Sequence, residues 1–157
     1  MLSVTIKVSW AMAHRLAAGY LGKCSAIHGH EYVAEIIFFP ATHPTMGELD
    51  EKGMVEDFSQ LKYLVKKAFL DKYDHSLVLN EEDRETLKLH EVLKNVQEVY
   101  YINGNPTAEV FVQYIYAELK QKMCEWKTKG VMREDLEITT IRLYETPNAW
   151  CEFIPNF

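Results

Sequence analysis

Three histidines and a cysteine stand in an arrangement that could hold a metal ion beside a reactive thiol. His28 and His30 are two residues apart, Cys24 lies four before the first of them, and His14 lies ten before Cys24. In an extended chain, residues i and i+2 point to the same face, roughly 6–7 Å apart along the strand. Two imidazoles so placed can converge on one ion. A third from His14 would complete a set of neutral nitrogen ligands with one vacant position, the donor set of a catalytic zinc site. Iron and nickel also accept imidazole. A solitary His-x-His pair is usually a surface or structural feature. His14 weighs against that reading, because it ends a hydrophobic strand face where an unpartnered imidazole is costly to bury. Cys24 has three readings: a fourth ligand that closes the site into a structural one, a small buried hydrophobe, or a thiolate acidified by a neighbouring cation and by Lys23. Gly19 and Gly22 lead up to it. They put it on a loop, which favours chemistry.

The elements that must position these residues follow from periodicity. Val4, Ile6, Val8, Trp10 and Met12 alternate with Ser3, Thr5, Lys7 and Ser9, which predicts a half-buried strand over 3–14 whose apolar face His14 continues. A second strand over 29–39 sets His28, His30, Tyr32, Ala34, Ile36 and Phe38 on one face. Residues 40–53, rich in prolines, glycines and acids, read as an exposed loop or hairpin tip. A short strand over 53–56 leads to Asp57, a helix N-cap with Gln60 at the third helical position. Phe58, Leu61, Val65, Ala68 and Phe69 then make a helical stripe ending near Asp71. Residues 73–80 read as a structured loop, 81–95 as a short surface helix, and Val96–Ile102 as weakly strand-like. Asn105-Pro106 reads as N-cap and first residue of a second helix, with Ala108, Phe111, Val112, Ile115, Leu119, Met123 and Trp126 as its buried stripe. Segments 136–145 and 149–154 close as a hairpin around Pro147-Asn148. The order strand, strand, helix, helix, strand, strand gives the α+β class: an antiparallel four-stranded sheet with two helices packed on one face.

A chain of 157 residues predicts one domain over 1–157 with a single core. A formal charge of −6 argues against nonspecific nucleic-acid binding, which draws its affinity from Lys and Arg. A small anionic substrate held by a few local cations remains compatible. Lys7, His14 and Arg15 interrupt any apolar run that could act as a signal peptide, and no segment approaches a membrane span. Cys24, Cys124 and Cys151 lack framework spacing and suit a reducing cytoplasm.

Other polar residues carry an ordinary reading beside a functional one. Asp74 caps a turn and His75 is solvated by default, but a carboxylate beside an imidazole can also orient a proton carrier. Glu145, at a strand end, is solvated by default and could bind an N–H-rich heterocycle. Glu109 is explained by the dipole of its helix. His43 and His90 read as surface residues, Cys124 and Cys151 as packing residues. An amidohydrolase barrel needs more chain than is present. The spacing from Gly22 through His28-x-His30 to Glu35 imitates half of a cupin motif, but no second half follows, and two amphipathic helices do not belong in a jelly roll.

Taken in order, Ala13-His14-Arg15-Leu16, Cys24-x-x-x-His28-Gly29-His30, Gly53-Met54-Val55-x-Asp57-Phe58, Leu61-Lys62, Asp74-His75 with Leu79-Asn80, Pro106-Thr107-Ala108-Glu109 and Tyr144-Glu145-Thr146 resemble the 6-pyruvoyl-tetrahydropterin synthase / QueD family. They span nearly the whole chain. The resemblance implies the tunnelling (T-) fold and a lyase acting on a pterin triphosphate. It implies one zinc ion per subunit on His14, His28 and His30, with Cys24 as general base and Asp74-His75 as a proton relay. It further implies that Glu145 anchors the pterin ring, with Thr107 nearby and Glu109 assisting, and that subunits form homo-oligomers, a hexamer as a dimer of trimers, in which Asp74-His75 serves a neighbour's Cys24. The three residues between Cys24 and His28 resemble the bacterial 6-carboxytetrahydropterin synthases of the queuosine and 7-deazaguanine pathway. The pyruvoyl synthases, which stop after triphosphate elimination, are the alternative. A non-catalytic module with a structural zinc is the second. Lys23 and Arg15 are candidate triphosphate contacts.

Overall fold

The computed structural model describes residues 2–17, 19–41, 49–50 and 52–156. His43 and most of the loop expected over 40–53 lie outside them. The alternating segment forms strand β1, Val4–His14, and the next forms β2, His28–Pro40. They pair antiparallel without interruption from Val4↔Phe38 to His14↔His28. Because side chains alternate across a strand, this register sends every even-numbered residue of both strands to one face. Ile6, Trp10, Met12, Tyr32, Ala34, Ile36 and Phe38 are buried there, while Thr5, Lys7, Ser9 and Ala11 point to the other face, where Thr5, Lys7 and Ala11 are exposed.

The sheet is larger than expected. Among the described residues it has six strands in the order β4-β3-β1-β2-β5-β6 rather than four, and it is mixed rather than antiparallel. Strand β3, Ser76–Asn80, occupies the segment expected to be a loop. It runs parallel to β1, with Met12↔Ser76 and His14↔Val78 in register. All five of its residues are buried. A strand buried on both faces has no alternation to reveal it. Strand β4, Val99–Ile102, runs parallel to β3 at the sheet's edge. The hairpin of β5, Leu136–Thr146, and β6, Ala149–Phe153, closes the other edge.

The first helix is built in three pieces: α1 over Phe58–Val65, a wider turn over Lys66–Leu70, and α2 over Asp71–Tyr73. Asp57 caps it by accepting from the Ser59 backbone N–H at 2.6 Å. Gln60 does not complete a reciprocal capping box; its side-chain amide donates to the Val131 carbonyl. The strand expected over 53–56 is instead a turn, in which the Asp50 carboxylate accepts from the Lys52 and Met54 backbone N–H groups. The single surface helix expected over 81–95 is two, α3 over Asp83–Leu87 and α4 over Leu89–Leu93, broken where Lys88 takes φ +48°. The long helix α5 spans Ala108–Thr128 and buries the expected stripe. Its cap is Thr107, whose side chain accepts from Val110 N–H, and not Asn105.

The helices cover the even face of the sheet around a core of aromatic rings. Trp10 meets Phe69 edge-on at 5.4 Å, and Tyr73 meets Phe111 at 4.9 Å. The opposite face carries ion pairs such as Lys7–Glu35 at 3.1 Å and Arg142–Glu152 at 2.8 Å. No helix among the described residues is long and apolar enough to cross a membrane.

Candidate metal centre and active site

The β1–β2 register sets His14 directly across from His28 and leaves His30 two residues further along the same face. One nitrogen from each of the three imidazoles lies within 4.8 Å of the others, and the ring centroids are 4.6–5.2 Å apart. Two of the rings have their orientation set from behind. His14 Nδ1 is 2.7 Å from the Pro106 carbonyl, and His28 Nδ1 is 2.8 Å from the Ala26 carbonyl. A carbonyl can only accept, so each Nδ1 carries the proton and each Nε2 presents a lone pair. This is the backing that metal-ligating histidines receive. His14 Nε2 is buried and, among the described residues, has no hydrogen-bond partner. Burial holds the His14 imidazole below its ordinary pKa, against the opposing pull of the Pro106 carbonyl and Glu145, which keeps it neutral as a ligand must be. A buried lone pair aimed at two other imidazole nitrogens fits a metal ion.

Cys24 lies in a short 3₁₀ turn, Lys23–Ser25, and is not part of the nitrogen cluster. Its loop is tied back by the Leu16 N–H donating to the Cys24 carbonyl at 2.8 Å. The Tyr20 phenol lies beside Cys24, and that neighbour raises its pKa above the ordinary phenol value. Gly22 makes room for that ring: a Cβ there would stand 2.6 Å from the Tyr20 hydroxyl.

Asp74 and His75 pair at 2.9 Å between Oδ1 and Nδ1. Asp74 Oδ1 also accepts from the Ala11 N–H at 3.2 Å, and His75 takes φ +60°. The dyad does not join the three histidines. His75 borders a hollow of about 410 Å³ lined also by Ala11, Met12, Ala13, Gly29, His30, Glu31, Ser76 and Gln97, so one of the three histidines reaches its wall. The His75 side chain is 82% exposed there.

Glu145, by contrast, comes close to the cluster. Its Oε1 lies 3.5 Å from His14 Nε2 and 4.0 Å from His30 Nε2. Glu109 is exposed in the first turn of α5. Burial, together with the carboxylates of Glu109 and Glu145, pushes the Cys151 thiol up to about 11. Arg15 is turned toward Asp83, 3.6 Å away, while Lys23 is exposed.

The family model for 6-pyruvoyl tetrahydropterin synthase matches residues 3–156. The chain belongs to this family. Curated relatives named 6-carboxy-5,6,7,8-tetrahydropterin synthase include one from Rickettsia conorii, 32% identical over 97% of this chain and 99% of its own length. Another, from Rickettsia bellii, is 34% identical over 97% and 99%. Among solved structures, an uncharacterised protein from Wolinella succinogenes superposes with a TM-score of 0.72 at 17% identity, covering 99% of this chain and 98% of the other. The 6-pyruvoyl tetrahydropterin synthase of Caenorhabditis elegans gives 0.62 at 22% identity, covering 99% and 96%. The sheet with its helices on one face is therefore the tunnelling fold of the family, here with six strands among the described residues.

Two residues near the cluster take parts that their sequence pattern does not announce. Tyr32 continues the phase of His28 and His30 and lies fully buried beneath them. Asn105, expected to cap a helix, is a strut: its Oδ1 accepts from the Ala17 N–H at 2.7 Å and the Asn80 amide at 3.3 Å. It thereby ties the loop after His14 to β3 and to the Pro106 carbonyl that orients His14. Asn105→Ala should cost about 1–3 kcal/mol, because the Ala17 N–H loses its partner. Urea unfolding measures this as a lower midpoint at unchanged slope.

Proposed function

We propose that the protein is a zinc-dependent 6-carboxy-5,6,7,8-tetrahydropterin synthase. It converts 7,8-dihydroneopterin triphosphate and water to 6-carboxytetrahydropterin, acetaldehyde and triphosphate, with one zinc ion per subunit in a homo-oligomer, a hexamer as a dimer of trimers. The observation that carries this reading is the converging set of His14, His28 and His30, with the His14 lone pair buried and unpartnered among the described residues and Cys24 outside it. The names of the full-length relatives support the carboxy product.

His14, His28 and His30 would hold the ion. Bound there, zinc supplies Lewis acidity toward the substrate's side-chain hydroxyls, easing loss of the adjacent protons. The Cys24 thiolate takes a proton from the pterin side chain. His75, oriented by Asp74, carries protons between the side chain and solvent as triphosphate leaves. With its side chain 82% exposed, His75 serves the Cys24 site of a neighbouring copy. Water adds to the side-chain carbonyl next to C6, and cleavage of the adjoining C–C bond then releases acetaldehyde and leaves the carboxylate on C6. Thr107 and Glu109 contact the pterin ring. Glu145, 3.5 Å from His14 Nε2, anchors the pterin ring by accepting from its N–H groups. Exposed Lys23 meets the triphosphate; Arg15 is engaged by Asp83.

Metal dependence tests the reading. Chelation should abolish triphosphate release while the protein stays folded by circular dichroism, and zinc should restore it. Unfolding on chelation would instead favour a structural zinc in a non-catalytic module.

A further inference from the structure

The phenol of Tyr32 touches both sides of the site. Tyr32 is fully buried and is the direct cross-strand partner of Trp10, stacked on it at 5.5 Å and 18°. It meets His14 and His30 edge-on at 6.0 and 5.8 Å. Its hydroxyl lies 3.3 Å from His14 Nδ1 and 3.4 Å from Glu145 Oε1. The direction of these contacts is fixed by elimination. His14 Nδ1 already carries its proton, facing the Pro106 carbonyl at 2.7 Å, so it cannot accept from Tyr32. The phenol has one hydrogen, and the Glu145 carboxylate can only accept. Tyr32 therefore donates to Glu145, on the same oxygen that faces His14 Nε2 and His30 Nε2.

We propose that Tyr32 is a positioning residue that holds the Glu145 carboxylate against the metal-binding nitrogens. The inference rests on the functional reading above. A glutamate reaching in from a strand end has three rotatable bonds and a side chain 31% exposed, so nothing covalent keeps it near the cluster. A rigid donor locked between Trp10 and the histidines does. A hydrogen bond to a charged acceptor is of a size that decides such a rotamer choice.

Tyr32→Phe tests this, because it removes one oxygen and keeps the ring in its stack. In the zinc-loaded oligomer, kcat should fall about tenfold, in line with one charge-assisted hydrogen bond, with KM within about twofold and zinc content unchanged. The same substitution made on Glu145→Ala, which leaves no acceptor for the phenol, should add little further loss, as expected when one residue acts through the other. A loss that is undiminished in the Glu145→Ala background would overturn the proposal. A crystal structure of the zinc-loaded Tyr32→Phe protein gives a readout independent of turnover. The Glu145 carboxylate should leave the His14 side; finding it unmoved would also overturn the proposal. If the parent protein does not turn over the pterin triphosphate, the functional reading fails, and the carboxylate's position still decides the role of Tyr32.

Discussion

His28→Ala should lower turnover by at least about 10³-fold and strip the protein of its metal without unfolding it. Three imidazoles converge within 4.8 Å, and two nitrogens cannot replace three in a site built for a tetrahedral ion. Lewis-acid stabilisation amounts to several kcal/mol, and each 1.4 kcal/mol or so is a factor of ten in rate. His28 is the ligand whose removal disturbs the fold least. It begins β2 and is partly exposed, whereas His14 is 2% exposed and packed over Tyr32. Zinc content by atomic absorption and the thermal unfolding midpoint separate loss of metal from loss of structure. Turnover within tenfold of the parent would remove the metal from the account.

The second large effect concerns the location of the relay. Cys24→Ala and His75→Ala should each lower turnover by about 10²–10⁴-fold, the usual worth of a positioned acid or base, while keeping zinc. Refolded together, the two inactive proteins should regain activity. His75 borders a hollow that His30 also lines, and its side chain is 82% exposed. Under the proposed reading this exposed relay serves the Cys24 of a neighbouring copy, so a mixed oligomer contains some interfaces with an intact Cys24 facing an intact His75. Mass spectrometry confirms mixing. Mixed oligomers with no recovered activity would show that relay and thiol act within one chain.

Much of this site is legible in the amino-acid sequence. The alternation of Val4 to Met12 carries His14 to the buried face, and the phase of His28 and His30 does the same on the partner strand. The 11-residue register turns two periodicities into one cluster. Tyr32 shares that phase, but the apolar content of β2 explains it well enough to hide its hydroxyl. Strand β3 escapes a reading by pattern because Ser76–Asn80 is buried throughout, so it shows neither alternation nor helical period. With β3 goes the parallel pairing with β1 that fixes the Asp74–His75 pair beside Ala11. Asn105-Pro106 looks like the start of a helix from composition alone. Asn105 instead accepts from Ala17 and Asn80, partners distant in sequence that no local signal announces. The role of Glu145 rests on family resemblance. Its approach to His14 Nε2 depends on β5 pairing with β2, a contact across more than a hundred residues.

The most direct test of the account is the ratio of acetaldehyde to triphosphate released from 7,8-dihydroneopterin triphosphate by the zinc-loaded protein. One acetaldehyde should be released for each triphosphate, with 6-carboxytetrahydropterin as the pterin product. Full triphosphate release without acetaldehyde, leaving 6-pyruvoyltetrahydropterin, would contradict it.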